Sequence, residues 1–191
     1  MRARLIAATR QSLLDSGYGR TTAVEVWARA GVTRGALFHH FAGLPELFAA
    51  TLDDVCSEMA ARSHDTAVHS EATNPLTGYI ESAWSIFGHP DFKIIIEVWL
   101  AARNDRSLRG ELEPIMERIR KAATPELNPA LAGKVGRGSD DVAFYRLIVE
   151  AMIGMALGRA ITPAGRLGHE SKVVGLLKEL ALHRSHAKRK G

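Results

Sequence analysis

Between Thr22 and Phe41 the chain reads TAVEVWARAGVTRGALFHHF, and few folds accommodate that order of residues. Two short helical segments meet at Ala30-Gly31-Val32. Gly31 can take the positive φ of a sharp turn, and Val32 is an apolar pin beneath it. Thr21 or Thr22 is placed to cap the first segment, with Glu25 three residues after Thr22 in a capping-box pattern. Thr33 is placed to cap the second, which runs to about His40. Leu37 and Phe41 are expected to face inward onto Val24, Val26 and Leu13. The second segment opens with Arg34, Gly35 and Ala36, which are small or donor-bearing. Such a helix end can enter a major groove of about 12 Å and offer Arg34 to a guanine edge. His39 and His40 fall on the outward side, beside phosphates. The pattern predicts a helix-turn-helix that reads duplex DNA.

The rest of the chain is also helical in period, and strand-like alternation is absent. A first helix is expected from about Ala3 to Ser16, closed by Gly17, with Gly19 in the loop after it. Pro45 suits the first turn of a fourth helix, reaching about residue 65. Asn74-Pro75 starts a fifth to Phe87, Gly88-His89-Pro90 breaks it, and Asp91 caps a sixth to about Ala102. A seventh spans Ser107 to Thr124, and residues 125–139 read as a loop. A long helix follows from Asp140 to about Ile161. Pro163 to Gly168 turns into a last one, Glu170 to about His183. The expected class is all-α: a three-helix reading module at residues 1–44, and a larger helical body at 45–191 with a flexible basic tail at 183–191.

Charge agrees with a polyanion partner at the front end. Residues 1–50 carry six arginines against three acids, and residues 183–191 add four basic residues, within a total of +4. Cys56 is the single cysteine, which excludes a disulfide framework and any multi-cysteine zinc site. No leader pattern opens the chain. The longest apolar run, Leu147 to Leu157, is too short to span a bilayer, so a soluble cytoplasmic protein is expected. An enzyme is disfavoured: there is no Glu-x-x-His pair, no His-Glu-x-x-His, no phosphate loop and no Gly-x-Ser-x-Gly. No cofactor and no metal are expected.

The string Arg34-Gly-Ala-Leu-Phe-His-His-Phe41, behind the capped Ala-Gly-Val-Thr turn, resembles the TetR family of transcriptional regulators over roughly residues 5–52. The resemblance implies that Thr22 caps its helix and touches phosphate. It implies that Arg34, Ala36 and His39 face bases and that Gly35 lets the backbone come close. Thr33 begins the recognition helix, while Phe38 and His40 lie against the sugar-phosphate backbone. Three residues depart from the family pattern. Phe38 lacks the hydroxyl of the usual Tyr, Leu44 stands where a Lys commonly reaches phosphate, and Trp27 replaces a small residue and must be housed between helices. Nearby Arg2, Arg4, Arg20 and Arg29 are candidates to compensate. The resemblance further implies repression of a palindromic operator, an effector-binding body, and a homodimer. A ligand-binding protein with a weakened DNA module is the alternative.

In the body, Phe144, Leu147, Ile148, Ala151, Met152 and Met155 recur at helical spacing, with Val149, Ile153 and Ala156 as a second edge. A helix apolar on two sides is buried on two sides. Gly154 and Gly158 permit another helix to come close. With Val173, Leu176, Leu177 and Leu180 of the last helix, this pair suits a two-fold four-helix interface between subunits. Trp84, Phe87, Trp99, Phe144 and Met152 are the candidate lining for an apolar or aromatic effector, with Arg103 or His89 as polar partners.

Overall fold

The computed structural model describes residues 1–72, 74–124, 133, 138–162 and 164–188, with 186–188 by backbone only. Regular structure among them is helical throughout: α1 (Arg2–Ser16), a 3-10 turn (Tyr18–Arg20), α2 (Ala23–Ala30), α3 (Arg34–His40), α4 (Leu44–His69), α5 (Pro75–Phe87), α6 (Phe92–Ala102), α7 (Arg106–Ala123), α8 (Ser139–Ile161) and α9 (Glu170–Lys188). The expected loop at 125–139 and the end of the basic tail lie almost wholly outside the described residues.

The chain divides into two compact units, residues 1–58 with 93–118, and residues 59–92 with 119–191. The core of the first is built from Leu5, Ile6, Ala8, Val26, Ala30, Leu37, Phe41 and Leu47. These residues recur at helical spacing on α1, α2, α3 and α4, so each short helix contributes one apolar face. Val24 does not join them. It is 59% exposed, and Leu5, Ile6 and Leu47 supply the surface expected of it. The chain places Val24 and Val26 only two apart, about 200° around a helix, so one of the pair must face out.

The second unit is packed around Ile80, Ala83, Phe144, Ile148, Met152, Met155, Leu177 and Ala181, from α5, α8 and α9. Leu147 is not part of this face and stands exposed. Both α4 and α9 run further than periodicity indicated. On α9, Ser185 accepts a 2.6 Å bond from Asn74 Nδ2, and Arg184 bonds the Asp140 carbonyl while lying over the Phe144 ring. These tertiary partners hold a last turn that has no apolar pattern of its own.

Candidate nucleic-acid interface

The turn between α2 and α3 is fixed by backbone chemistry. Gly31 sits at φ 62°, where only glycine is comfortable, and its N–H donates to the Ala28 carbonyl at 3.1 Å. The Val32 N–H reaches back to Trp27 at 3.0 Å. This pair of bonds is the Schellman closure of α2, and Trp27 and Val32 both pack, partly buried, on the same core. The large indole at position 27 is therefore housed as a half-buried flank of the turn. Arg4 completes the corner by donating to the Ala30 carbonyl at 2.6 Å.

Both predicted caps form. Thr22 Oγ1 accepts from the Glu25 N–H at 3.3 Å, and Thr33 Oγ1 accepts from the Ala36 N–H at 3.2 Å. The Glu25 carboxylate does not close the reciprocal half of a capping box. It takes the Arg29 guanidinium at 3.2 Å.

Burial of Leu37 and Phe41 fixes which face of α3 looks outward. Thr33, Arg34, Gly35, Phe38 and His39 are exposed, while Ala36 and His40 are half-buried. The Arg34 guanidinium lies over the Phe38 ring at 5.6 Å, and the His39 and His40 rings meet edge-on at 5.2 Å. A Cβ on Gly35 would meet nothing nearer than Thr33 Oγ1 at 3.9 Å. Nothing within the protein thus demands glycine at 35, as a position kept clear for an outside surface would have it. Leu44 is half-buried against the core and gives the surface no charge.

The arginines suggested as compensating charges each have a contact within the protein. Arg29 bonds Asp15 at 2.7 Å as well as Glu25, which holds the Asp15 carboxyl below its ordinary range. Arg4 serves the turn, Arg20 donates to the Ser16 carbonyl at 3.0 Å, and Arg2 lies over Phe41 at 5.2 Å. Arg10 pairs with Glu58 at 2.7 Å. Arg34 is the head arginine whose guanidinium rests only on an exposed face of the reading helix.

One set of supporting residues was not legible in the sequence. Glu97 on α6 accepts the Tyr18 N–H at 2.6 Å, and Lys93 donates to the Leu14 carbonyl at 3.2 Å. The Tyr18 hydroxyl donates to Asp105 at 3.3 Å, and its ring packs on Phe48 at 4.8 Å. The hydrogen-bonded partners are separated by 79 to 87 residues, and no local pattern announces such a pairing.

Of the proposed effector-lining residues, Trp84, Phe87, Phe144 and Met152 come together in the apolar cluster of the second unit. His89 is beside Asp91 in the same unit, with Nδ1 3.9 Å from its carboxylate. Trp99 and Arg103 belong to the first unit, the former half-buried and the latter exposed. Among the described residues no group of three His, Cys, Asp or Glu side chains is placed to hold a metal ion, and no helix is long and apolar enough to cross a membrane.

Residues 5–51 match the family model described as bacterial regulatory proteins, tetR family. An uncharacterised HTH-type transcriptional regulator of Mycobacterium tuberculosis is 26% identical over 160 residues, covering 83% of this chain and 80% of its own length. A transcriptional regulator of Rhodococcus has the same fold, with a TM-score of 0.73 at 20% identity, over 95% of this chain and 96% of that one. The multidrug binding protein EbrR complexed with malachite green is similar at a TM-score of 0.64 and 19% identity, over 94% and 96% of the two chains. With the capped turn, the buried Leu37 and Phe41 and the outward Arg34 in place, residues 5–51 are the helix-turn-helix segment matched by the tetR family of bacterial regulatory proteins.

Proposed function

We propose that residues 1–44 read a palindromic operator as half of a homodimer, and that residues 45–191 hold the dimer together and bind a small apolar or aromatic effector that releases the DNA. The observation that carries this reading is α3 itself, capped at Thr33, anchored by Leu37 and Phe41, and presenting Arg34 and His39 outward. Arg34 contacts a base edge. Thr22, Thr33, Phe38 and His40 contact the sugar-phosphate backbone, and Gly35 and Ala36 allow the close approach. With Leu44 packed inward and Arg29 and Arg4 engaged within the protein, few cations remain for phosphates, so the salt dependence should be shallow for its class.

Dimerisation is supported by exposed apolar side chains on the last two helices. Leu147, Leu157 and Ile161 on α8 are 52, 44 and 78% exposed, and Leu176 and Leu180 on α9 are 57 and 48% exposed. A Cβ on Gly154, between them on α8, would meet nothing within 4 Å, which leaves room for a second copy. A two-fold pair would present two reading heads to two half-sites. Effector binding is supported by the fold shared with a multidrug-binding protein. Release requires that the effector bind one head spacing better than the other.

Selection of bound sequences from a random DNA pool at stated salt tests the reading. A palindromic consensus is expected. Arg34→Ala should relax preference at one base position per half-site, at about 1–3 kcal/mol. Uniform weakening across all sequences would make Arg34 a phosphate contact, and absence of binding at low salt would favour a ligand-binding protein with a decayed head.

A further inference from the structure

A phenyl ring gains by leaving water, and this chain covers its aromatic side chains with one exception. Of the six Phe, Phe41, Phe48, Phe92 and Phe144 are buried and Phe87 is half-buried. Every Trp and Tyr is buried or half-buried as well. Phe38 is 44% exposed, on the outward face of α3. The ring is in contact there all the same, because the Arg34 guanidinium lies over it at 5.6 Å. The two residues stand four apart. A helical side chain leans toward the N-terminus of its helix, so Phe38 covers the surface of the turn from which Arg34 rises. A cation over an aromatic face is held there by the ring's negative π face.

The kind of partner decides what a guanidinium can still do. Arg29, Arg4 and Arg20 commit N–H donors to a carboxylate or a backbone carbonyl. A ring face attracts the charge without taking an N–H group, so the donor fork of Arg34 stays open for the O6 and N7 edge of a guanine. A long side chain also loses rotamer freedom when it docks, and one already resting on a ring has less to lose. We propose that Phe38 is a positioning residue for base readout: its ring holds the Arg34 guanidinium on the outward face of α3, so that the pair together sets the preference at one base position. This deepens the regulator reading above and rests on it, and it goes beyond the backbone contact given to Phe38 there. The ring has no hydrogen-bonding group, so it contributes to discrimination through Arg34.

Two variants of the full chain test this. Phe38→Leu keeps apolar bulk and removes the ring face, and Phe38→Tyr keeps the face and adds a hydroxyl. Each replaces an exposed side chain and leaves the buried Leu37 and Phe41 in place. Binding to the pool-selected half-site is compared with binding to half-sites changed at the base that Arg34→Ala ceases to distinguish. In Phe38→Leu the preference at that base should fall about two- to fivefold, the size of an exposed cation–π contact. Phe38→Tyr should hold it within about twofold, while the new hydroxyl strengthens binding to all sequences alike. In an Arg34→Ala background, Phe38→Leu should change it less than about twofold, because the partner is gone. Nuclear magnetic resonance of the free protein should place the Arg34 Cδ protons upfield of their position in Phe38→Leu, as protons over a ring face are. Equal weakening on every sequence in Phe38→Leu overturns the proposal, since the ring would then serve the DNA backbone alone. A preference lost at some other base overturns it too, since the ring would then read that base itself. So do additive effects in the double variant, loss of preference in Phe38→Tyr, or Arg34 protons that do not move. Absence of DNA binding by the wild type at low salt overturns the regulator reading and this proposal with it. Intact binding with unchanged preference in Phe38→Leu overturns this proposal alone.

Discussion

Replacing Glu97 by Ala should loosen the corner that supports the reading head, although residue 97 is far from α3 in sequence. Its Oε2 accepts the Tyr18 N–H at 2.6 Å, immediately after Gly17, the C-cap of α1, and its Oε1 lies 3.6 Å from Lys93 Nζ. A charge-assisted bond to a backbone donor contributes about 1.5–3 kcal/mol when well buried. Here the Glu97 side chain is 24% exposed, so water can partly replace it, and about 1–2 kcal/mol is the reasoned loss. Glu97→Gln keeps an acceptor without the charge and should lose roughly half as much. Because the chain forms two units, a global unfolding curve need not be two-state. Amide hydrogen exchange at Tyr18 is the better readout, with exchange about 5–30-fold faster in Glu97→Ala and a smaller increase in Glu97→Gln. If Tyr18 exchanges within twofold of wild type in both variants, Glu97 is not what holds the corner.

Gly31→Ala should destabilise the first unit by about 1–2 kcal/mol, from the left-handed backbone at φ 62°. Denaturation followed by Trp27 fluorescence checks it, and an unchanged midpoint would refute it. The Glu81 carboxylate is hydrogen-bonded by Lys178 and Ser70, which lower its pKa from 4.5. A folded-state pKa below the unfolded one adds stability above pH about 4.5 that is lost as pH falls through the folded value. Lys178→Met should therefore narrow the difference in melting temperature between pH 7 and pH 3, and an unchanged difference would count against the pairing. Burial pushes the Cys56 thiol up to about 11. Since the thiolate is the reactive form, Cys56 should react with a disulfide reagent at pH 8 at least roughly a hundredfold more slowly folded than unfolded. Equal rates would show the thiol to be accessible and ionised.

Much of the reading head was legible in the sequence because its determinants are local. Thr22, Thr33 and Gly31 act within three or four residues of themselves, through a side-chain oxygen meeting a nearby N–H or a backbone angle only glycine accepts. Buried Leu37 and Phe41 follow from a period of 3.6 residues, and with them the outward placing of Arg34. The same period misplaced Val24 and Leu147, which it put on buried faces and which stand exposed, since only packing decides which side of an apolar stripe is covered. Charge was the least legible property. Six head arginines read alike in the chain, yet salt-bridge and carbonyl partners engage Arg4, Arg10, Arg20 and Arg29, while Arg34 keeps its guanidinium on the exposed face. The ends of α4 and α9 and the Glu97 brace on Tyr18 likewise depend on partners brought near only by folding. Local hydrogen bonding and helical periodicity are properties of a short stretch of chain, and these determined the helix-turn-helix and the all-α class. Which donors and acceptors are satisfied is a property of three-dimensional neighbours, and this the tertiary structure alone decided.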